Sequence, residues 1–235
     1  MRRSHDWMIG FDADDTLWHN ERFFRLTQER FAALLADHVD DAARTGLDDR
    51  LLAAERRNLG RYGYGIKGFT LSMIETAIEA TEGAVPARVI SDILDAGKEM
   101  LEHPIELLPH ARAAVEALAG QAEIVLVTKG DLLDQERKLA QSGLGELFDA
   151  VEIVSEKTPQ VYGRIFGRHG RAHSMMVGNS LRSDVIPALE AGGWGVHVPQ
   201  GTVWPIEHAE RPEGHPRFRE IAHLGALAGL LDTLP

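Results

Sequence analysis

The stretch Phe11–Leu17, FDADDTL, places three carboxylates within four positions, directly behind the apolar run Trp7–Phe11. In an extended chain, residues two apart face the same side, so Asp12 and Asp14 can address one substrate while Ala13 points away. Paired carboxylates of this kind can divide nucleophilic and proton-transfer work. Downstream, three more apolar runs end on polar groups. Thr128-Lys129-Gly130 follows IVLV, Glu156-Lys157 follows VEIV, and Gly178-Asn179-Ser180 with Asp184 follows SMMV. Taken singly, each has a plainer role. Asp14, Asp15 and Thr16 suit the start of a helix, Lys157 a solvated surface, Thr128 a strand end and Asn179 a turn.

The elements that would position these groups can be read from periodicity. Trp7–Phe11 has the length and bounds of a buried strand. From about 20 to 39 the apolar residues Phe23, Phe24, Phe31, Leu34 and Leu35 recur at helical spacing, and helix-like segments follow near 48–59, 67–81 and 86–101, the last behind Pro86. Beyond Pro109 the pattern changes to alternation: a helix over His110–Ala119, the strand Ile124–Thr128, a helix from Leu132, the strand Val151–Val154, a helix from Thr158, the strand SMMVG, a helix from Leu181 and the strand WGVHV. Strands alternating with helices imply βαβ crossovers and a parallel sheet covered on both faces. The expected fold is therefore α/β, a doubly wound parallel-sheet core of residues 1–18 and 104–235, with residues 19–103 inserted as a helical cap. The tail GTVWPIEHAERPEGHPRF reads as a loop before a last short strand and helix. In open parallel sheets, ligands collect outside the carboxyl ends of the strands, where all four polar groups fall.

These residues resemble the signatures of the haloacid dehalogenase-like hydrolases. Asp12-Ala13-Asp14-Asp15-Thr16 is similar to that family's DxDxT motif, Thr128 to its second, Lys157 to its third and Gly178–Asp184 to its fourth. The helical block lies where members with a helical cap carry it. The resemblance implies a Mg²⁺-dependent phosphatase acting on a small phosphorylated metabolite through an aspartyl-phosphate. Asp12 would be the nucleophile and Asp14 the general acid and base. Thr128, Lys129 and Lys157 would bind the phosphate, and Asp12, Asp14, Asn179 and Asp184 would hold the metal. The fourth motif usually begins Gly-Asp; here Asn179 brings an amide oxygen and no charge. A 2-haloacid dehalogenase, a sugar phosphomutase and a non-catalytic binding protein are the alternatives, and the acid–base role of Asp14 argues against the first.

Gly63-Tyr64-Gly65-Ile66-Lys67-Gly68 fits the GxGxxG dinucleotide pattern but follows a helix-like segment, so that reading lacks its strand. The same segment suits a mobile cap loop that lends specificity through Arg61, Tyr62, Tyr64 or Lys67. None of the eleven histidines forms HExxH, and His169 and His173 flank a loop where exposure is expected. A formal charge of −11 repels nucleic acids and anionic membranes, and no apolar window is long enough to span a bilayer. The absence of cysteine excludes disulfides and thiolate chemistry and fits a reducing cytoplasm. A monomer or homodimer is expected.

Overall fold

The computed structural model describes residues 6–201 and 204–234; Thr202-Val203, part of the tail read above as a loop, lie outside the described residues. The chain forms two compact units. One holds the residues up to Glu21, Ile105–Lys129 and those from Gln135 onward; the other holds Arg22–Pro104 and Gly130–Asp134.

Helices α1 (Glu21–Leu35), α2 (Asp41–Thr45), α3 (Leu47–Tyr62), α4 (Ile66–Ala80) and α5 (Ala87–Glu102) build the second unit. α5 shows why: behind Pro86, Val89, Ile93, Ala96 and Met100 fall on one buried face at helical spacing. That face packs with Phe31, Leu35, Leu51, Phe69 and Met73 into a core of its own. The helix expected to run to Val39 stops at Leu35, because the Asp40 carboxylate accepts the Ala43 N–H at 2.7 Å and starts α2 instead. Gly63 and Gly65, with φ of 73° and 107°, turn the chain from α3 into α4. The glycine pattern is thus a helix-to-helix turn that needs left-handed backbone, not a phosphate loop after a strand.

In the first unit, helices α6 (Ala111–Leu118), α7 (Leu132–Ser142, from Gln135 onward), α8 (Pro159–His169), α9 (Ile186–Glu190) and α10 (Leu227–Leu231) accompany six parallel strands. β1 (Trp7–Phe11), β2 (Glu123–Lys129), β3 (Ala150–Val154), β4 (His173–Gly178), β5 (Trp194–His197) and β6 (Phe218–Glu220) lie in the order β3-β2-β1-β4-β5-β6. Ile9 sits opposite Ile124 on one side and Met175 on the other. Trp7, Ile9 and Phe11 face a core shared with Val115 and Leu227, whereas Met8 faces Tyr162, Ile165 and Ala188. Burial on both faces is why WMIGF reads as a continuous apolar run. The chain steps outward from β1 to β3, then returns to β4 on the opposite flank of β1. The strand order therefore reverses between β1 and β4, and the crevice at their carboxyl ends is the natural place for a ligand.

Two connections at that edge depart from simple expectation. After β4 the chain makes a π-helical turn, Leu181–Val185, before α9, with the N–H of Val185 reaching Ser180 O at 3.1 Å. After β1 the chain turns at once: Ala13 O accepts from Thr16 N and Leu17 N at 3.2 and 2.8 Å. Within this turn Asp15 has a φ of 59° and its carboxylate accepts the backbone N–H groups of Asn20 and Glu21, each at 2.9 Å. The capping role weighed for this stretch falls to Asp15. Replacing it by Ala removes the cap and leaves a side chain poorly suited to left-handed backbone, so Asp15→Ala should lower unfolding free energy by about 1–2 kcal/mol in a urea titration. Asp15→Asn, which tolerates the same φ, should lose less.

Candidate active site

The centre of the strand edge is an ion triad. Asp12 directly follows β1, its N–H still bonded to Val177 O of β4 at 2.9 Å. Lys157, three residues beyond β3, sends its ammonium to Asp12 Oδ1 at 2.5 Å and to Asp184 Oδ1 at 2.6 Å. Its side chain is 1% exposed. Burial works against the Lys157 charge, but Asp12 and Asp184 on either side hold it protonated well above the usual lysine range. Burial, reinforced by Asp184, lifts the Asp12 carboxyl to about 7 even against the pull of Lys157. Asp184 reaches the triad because the π-helical turn swings it back toward β4, where its Oδ2 accepts Ser180 N at 3.0 Å. A Cβ at Gly178 would collide with this carboxylate, so the glycine is a spatial requirement of the triad.

A hydroxyl ties the first and fourth motifs together. Thr16 Oγ1 donates to Asp12 Oδ2 at 3.0 Å, lies 3.2 Å from Asn179 Oδ1, and accepts the Asn179 N–H at 3.0 Å. Behind it His197 is within 3.1 Å of Asn179 O and 2.8 Å of Glu220. The turn after β1, rather than strand alternation, aims Asp14. Its Oδ1 accepts the Trp18 indole N–H at 2.7 Å and Lys138 Nζ at 3.0 Å, and its Oδ2 accepts Gln135 Nε2 at 3.3 Å. Gln135 also donates to Thr128 Oγ1, linking the second motif to the first.

Lys129 does not project as a free phosphate donor. Its ammonium reaches Glu207 Oε1 at 2.6 Å and Ser183 Oγ at 2.9 Å, and Glu207 also accepts Ser180 Oγ at 2.6 Å. Burial opposes ionisation of Glu207, yet Lys129 and the hydroxyls prevail and hold its carboxyl below the usual range. Neither Glu207 nor the pair Gln135 and Lys138 was found from the sequence. Glu207 sits in the irregular tail, with no periodicity to betray it, whereas Gln135 and Lys138 share the i,i+3 spacing that could have put them on one helix face. Arg61, Tyr64 and Lys67 belong to the helical unit. There Arg61 is exposed, Tyr64 half-buried, and Lys67 pairs with Asp131 at 2.9 Å. His169, expected to be exposed, has a side chain 8% exposed, with Nδ1 2.6 Å from Glu123 Oε1, because the end of α8 packs beside the start of β2.

No cluster of three or more His, Cys, Asp or Glu side chains arranged to hold a metal is found among the described residues. The donors at the edge are nonetheless oxygen-only and anionic: the carboxylates of Asp12 and Asp184 share one ammonium, and the Asn179 amide oxygen stands one hydroxyl away. Such a set fits a hard cation such as Mg²⁺ in donor type, with one charge fewer than an aspartate at 179 would give. Asp14, whose carboxylate oxygens are engaged by Trp18, Gln135 and Lys138, fits that role less well.

The model of the haloacid dehalogenase-like hydrolase family matches residues 8–192. The chain belongs to that family. A hydrolase of the family from Xanthomonas campestris is 42% identical, covers 96% of this chain and 90% of its own, and superposes with a TM-score of 0.85. The L-2-haloacid dehalogenase of Xanthobacter autotrophicus, 20% identical over 97% of this chain and 99% of its own, shares the fold with a TM-score of 0.65. So does the hydrolase YfnB of Bacillus subtilis, solved with magnesium, at 18% identity, 96% and 98% coverage and a TM-score of 0.65. Over 133 residues the chain is 28% identical to the pyrimidine 5'-nucleotidase YjjG of Escherichia coli, and it spans about half the length of that curated relative (56%, and 53% of this chain). The family thus makes the chain a hydrolase of an α/β core, and among the described residues no helix is long and apolar enough to cross a membrane.

Two measurements check the electrostatics. Lys157→Met leaves two buried carboxylates facing each other without their cation, and should lower unfolding free energy at neutral pH by about 3–5 kcal/mol; a surface lysine would cost under about 0.5. Glu207, whose folded-state carboxyl lies below its unfolded value, contributes stability that is present above the ordinary glutamate pKa and lost as pH falls through the depressed one. The melting-temperature difference between the natural protein and Glu207→Gln should therefore be largest near neutrality and shrink below about pH 4.5.

Proposed function

We propose that the chain is a phosphatase that hydrolyses small phosphate monoesters through an aspartyl-phosphate, with Mg²⁺ as cofactor. The observation that supports this reading is Asp14: a second carboxylate, two residues from Asp12 and bridged by Gln135 to the Thr128 hydroxyl, gives the strand edge a group able to carry a proton. A halide leaves without a proton, whereas an alkoxide does not leave readily unless protonated. The family neighbours include dehalogenases as well as the nucleotidase, so this carboxylate is what favours phosphate.

The reaction divides into two displacements. An Asp12 carboxylate oxygen attacks phosphorus, the new O–P bond forms as the bond to the ester oxygen breaks, and a proton passes through Asp14 to the departing alkoxide. Water then attacks the same phosphorus, loses a proton to Asp14, and expels the Asp12 carboxylate; alcohol and inorganic phosphate are the products. Lys157 and the Thr128 hydroxyl supply positive potential and a donor to the phosphoryl oxygens. Mg²⁺, when bound, neutralises part of the charge between the carboxylate nucleophile and the phosphate dianion, and Asp12, Asn179 and Asp184 are the residues that would hold it. Pyrimidine nucleoside monophosphates belong in the first substrate panel because of the partial nucleotidase relative.

The test is phosphate release from a panel of phosphomonoesters, including nucleoside monophosphates, with and without Mg²⁺, beside 2-haloacids. Asp12→Asn should retain the fold and lose turnover by at least about 10³-fold, since the amide is nearly isosteric but cannot attack phosphorus. Halide release with no phosphate release, or full phosphatase activity in Asp12→Asn, would overturn the reading.

A further inference from the structure

Gln135 and Lys138 lie three apart on α7 and so share a face of that helix. Both are buried, at 2% and 6% exposure. A buried lysine is costly unless its three donors are met, and here they are met by Asp14 Oδ1 and Oδ2, at 3.0 and 3.2 Å, and by Asn20 Oδ1 at 2.9 Å. Gln135 spends its amide N–H groups on Asp14 Oδ2 and Thr128 Oγ1. The Trp18 indole N–H adds a further donor to Asp14, whose side chain stays 24% exposed. α7 itself is tied to the sheet through Leu139, which packs against the core below β1 and β2. The Asp14 carboxylate is therefore held between its own turn and a separate helix, and one glutamine spaces it from the hydroxyl of the second motif.

Two long polar side chains are a poor way to fill a helix–sheet contact; Leu or Met would do so at lower desolvation cost. What they add is geometry. We infer that Gln135 and Lys138 are positioning residues that fix the Asp14 carboxylate and the Thr128 hydroxyl relative to each other, so that the proton carrier and a phosphoryl-oxygen donor meet one substrate in a single arrangement. This inference rests on the phosphatase reading for its catalytic meaning, but the placement of Asp14 can be measured without turnover. Neither residue touches the reacting atoms; Lys138 acts through Asp14, and Gln135 through Asp14 and Thr128. Misplacing a catalytic group by about 1 Å can cost ~10²-fold. The loss should fall on substrates that need the proton: an alkyl phosphate has a poor leaving group, whereas 4-nitrophenolate departs unprotonated.

The experiment compares Lys138→Met, Lys138→Arg and Gln135→Leu with the natural protein by two readouts. The first is the indole N–H resonance of Trp18, assigned from its disappearance in Trp18→Phe. The second is kcat and KM for an alkyl phosphate and for 4-nitrophenyl phosphate. Lys138→Met should shift the Trp18 resonance and lower kcat for the alkyl ester by at least about tenfold more than for the nitrophenyl ester, with KM little changed. Lys138→Arg, which restores charged donors, should recover most of both. Gln135→Leu should give the same selective loss, and it decides the matter if Lys138→Met does not fold. An unmoved Trp18 resonance together with equal losses on both esters would overturn the inference. If the natural protein releases no phosphate from any ester, the phosphatase reading falls, and the Trp18 resonance alone then decides whether Lys138 places Asp14.

Discussion

The ammonium of Lys157, held between Asp12 and Asp184, is the interaction on which the strand edge depends. Three stretches of chain must converge to make it: the end of β1, the loop after β3 and the π-helical turn after β4. Burial disfavours the ammonium, which keeps its charge because both carboxylates face it, and the ammonium in turn pulls against the burial and the Asp184 charge that lift the Asp12 carboxyl. That mutual dependence accounts for the tight packing at Gly178, where a methyl group would collide with Asp184. It also accounts for the widened turn at Leu181–Val185, since an ordinary α-turn lacks the longer Ser180-to-Val185 bond that accompanies the return of Asp184 toward β4.

Around the triad the site is organised in two wings. One, through Thr16, joins Asp12 to Asn179 and on to His197 and Glu220, so the fourth motif is braced from the outer strands of the sheet. The other joins Asp14 to Thr128 through α7. Glu207 adds a brace from the tail, drawing Lys129, Ser180 and Ser183 together. Much of the site thus consists of side chains that hold other side chains. This is the usual cost of holding charged groups in fixed positions where water cannot help.

How much of this was legible in the sequence follows from what kind of signal each part leaves. β1 announced itself because a strand buried on both faces is apolar throughout, and the polar residues at the strand ends stood out against such runs. The order of motifs then brought Asp12, Lys157 and Asp184 to one edge by topology alone. The aim of Asp14 could not be read, because strand alternation stops where Ala13 O takes the N–H groups of Thr16, Leu17 and Trp18 and the chain turns. Asn20, Gln135 and Lys138 looked like ordinary polar helix and loop residues, since their partners are remote in sequence. The break between α1 and α2 was missed because a capping aspartate, Asp40, outweighed the continuing apolar pattern. His169 was misjudged for a related reason: position near a loop says little about burial when the neighbouring strand begins beneath it.

The strand that carries Asp12 lies in the middle of the sheet, yet its neighbours come from far along the chain. Asp12 and the lysine it faces are 145 residues apart, and Thr16 and Asn179 are 163 apart. On a ribosome the aspartate emerges early and its counter-ion late, so a nascent chain has one flank of β1 only once Glu123–Lys129 is made and the other only once His173–Gly178 is made. Long-range pairings of this kind slow folding and leave strand edges open in the interim. The same arrangement means that a prematurely terminated chain, or one clipped before β4, carries the signature aspartates without any active centre.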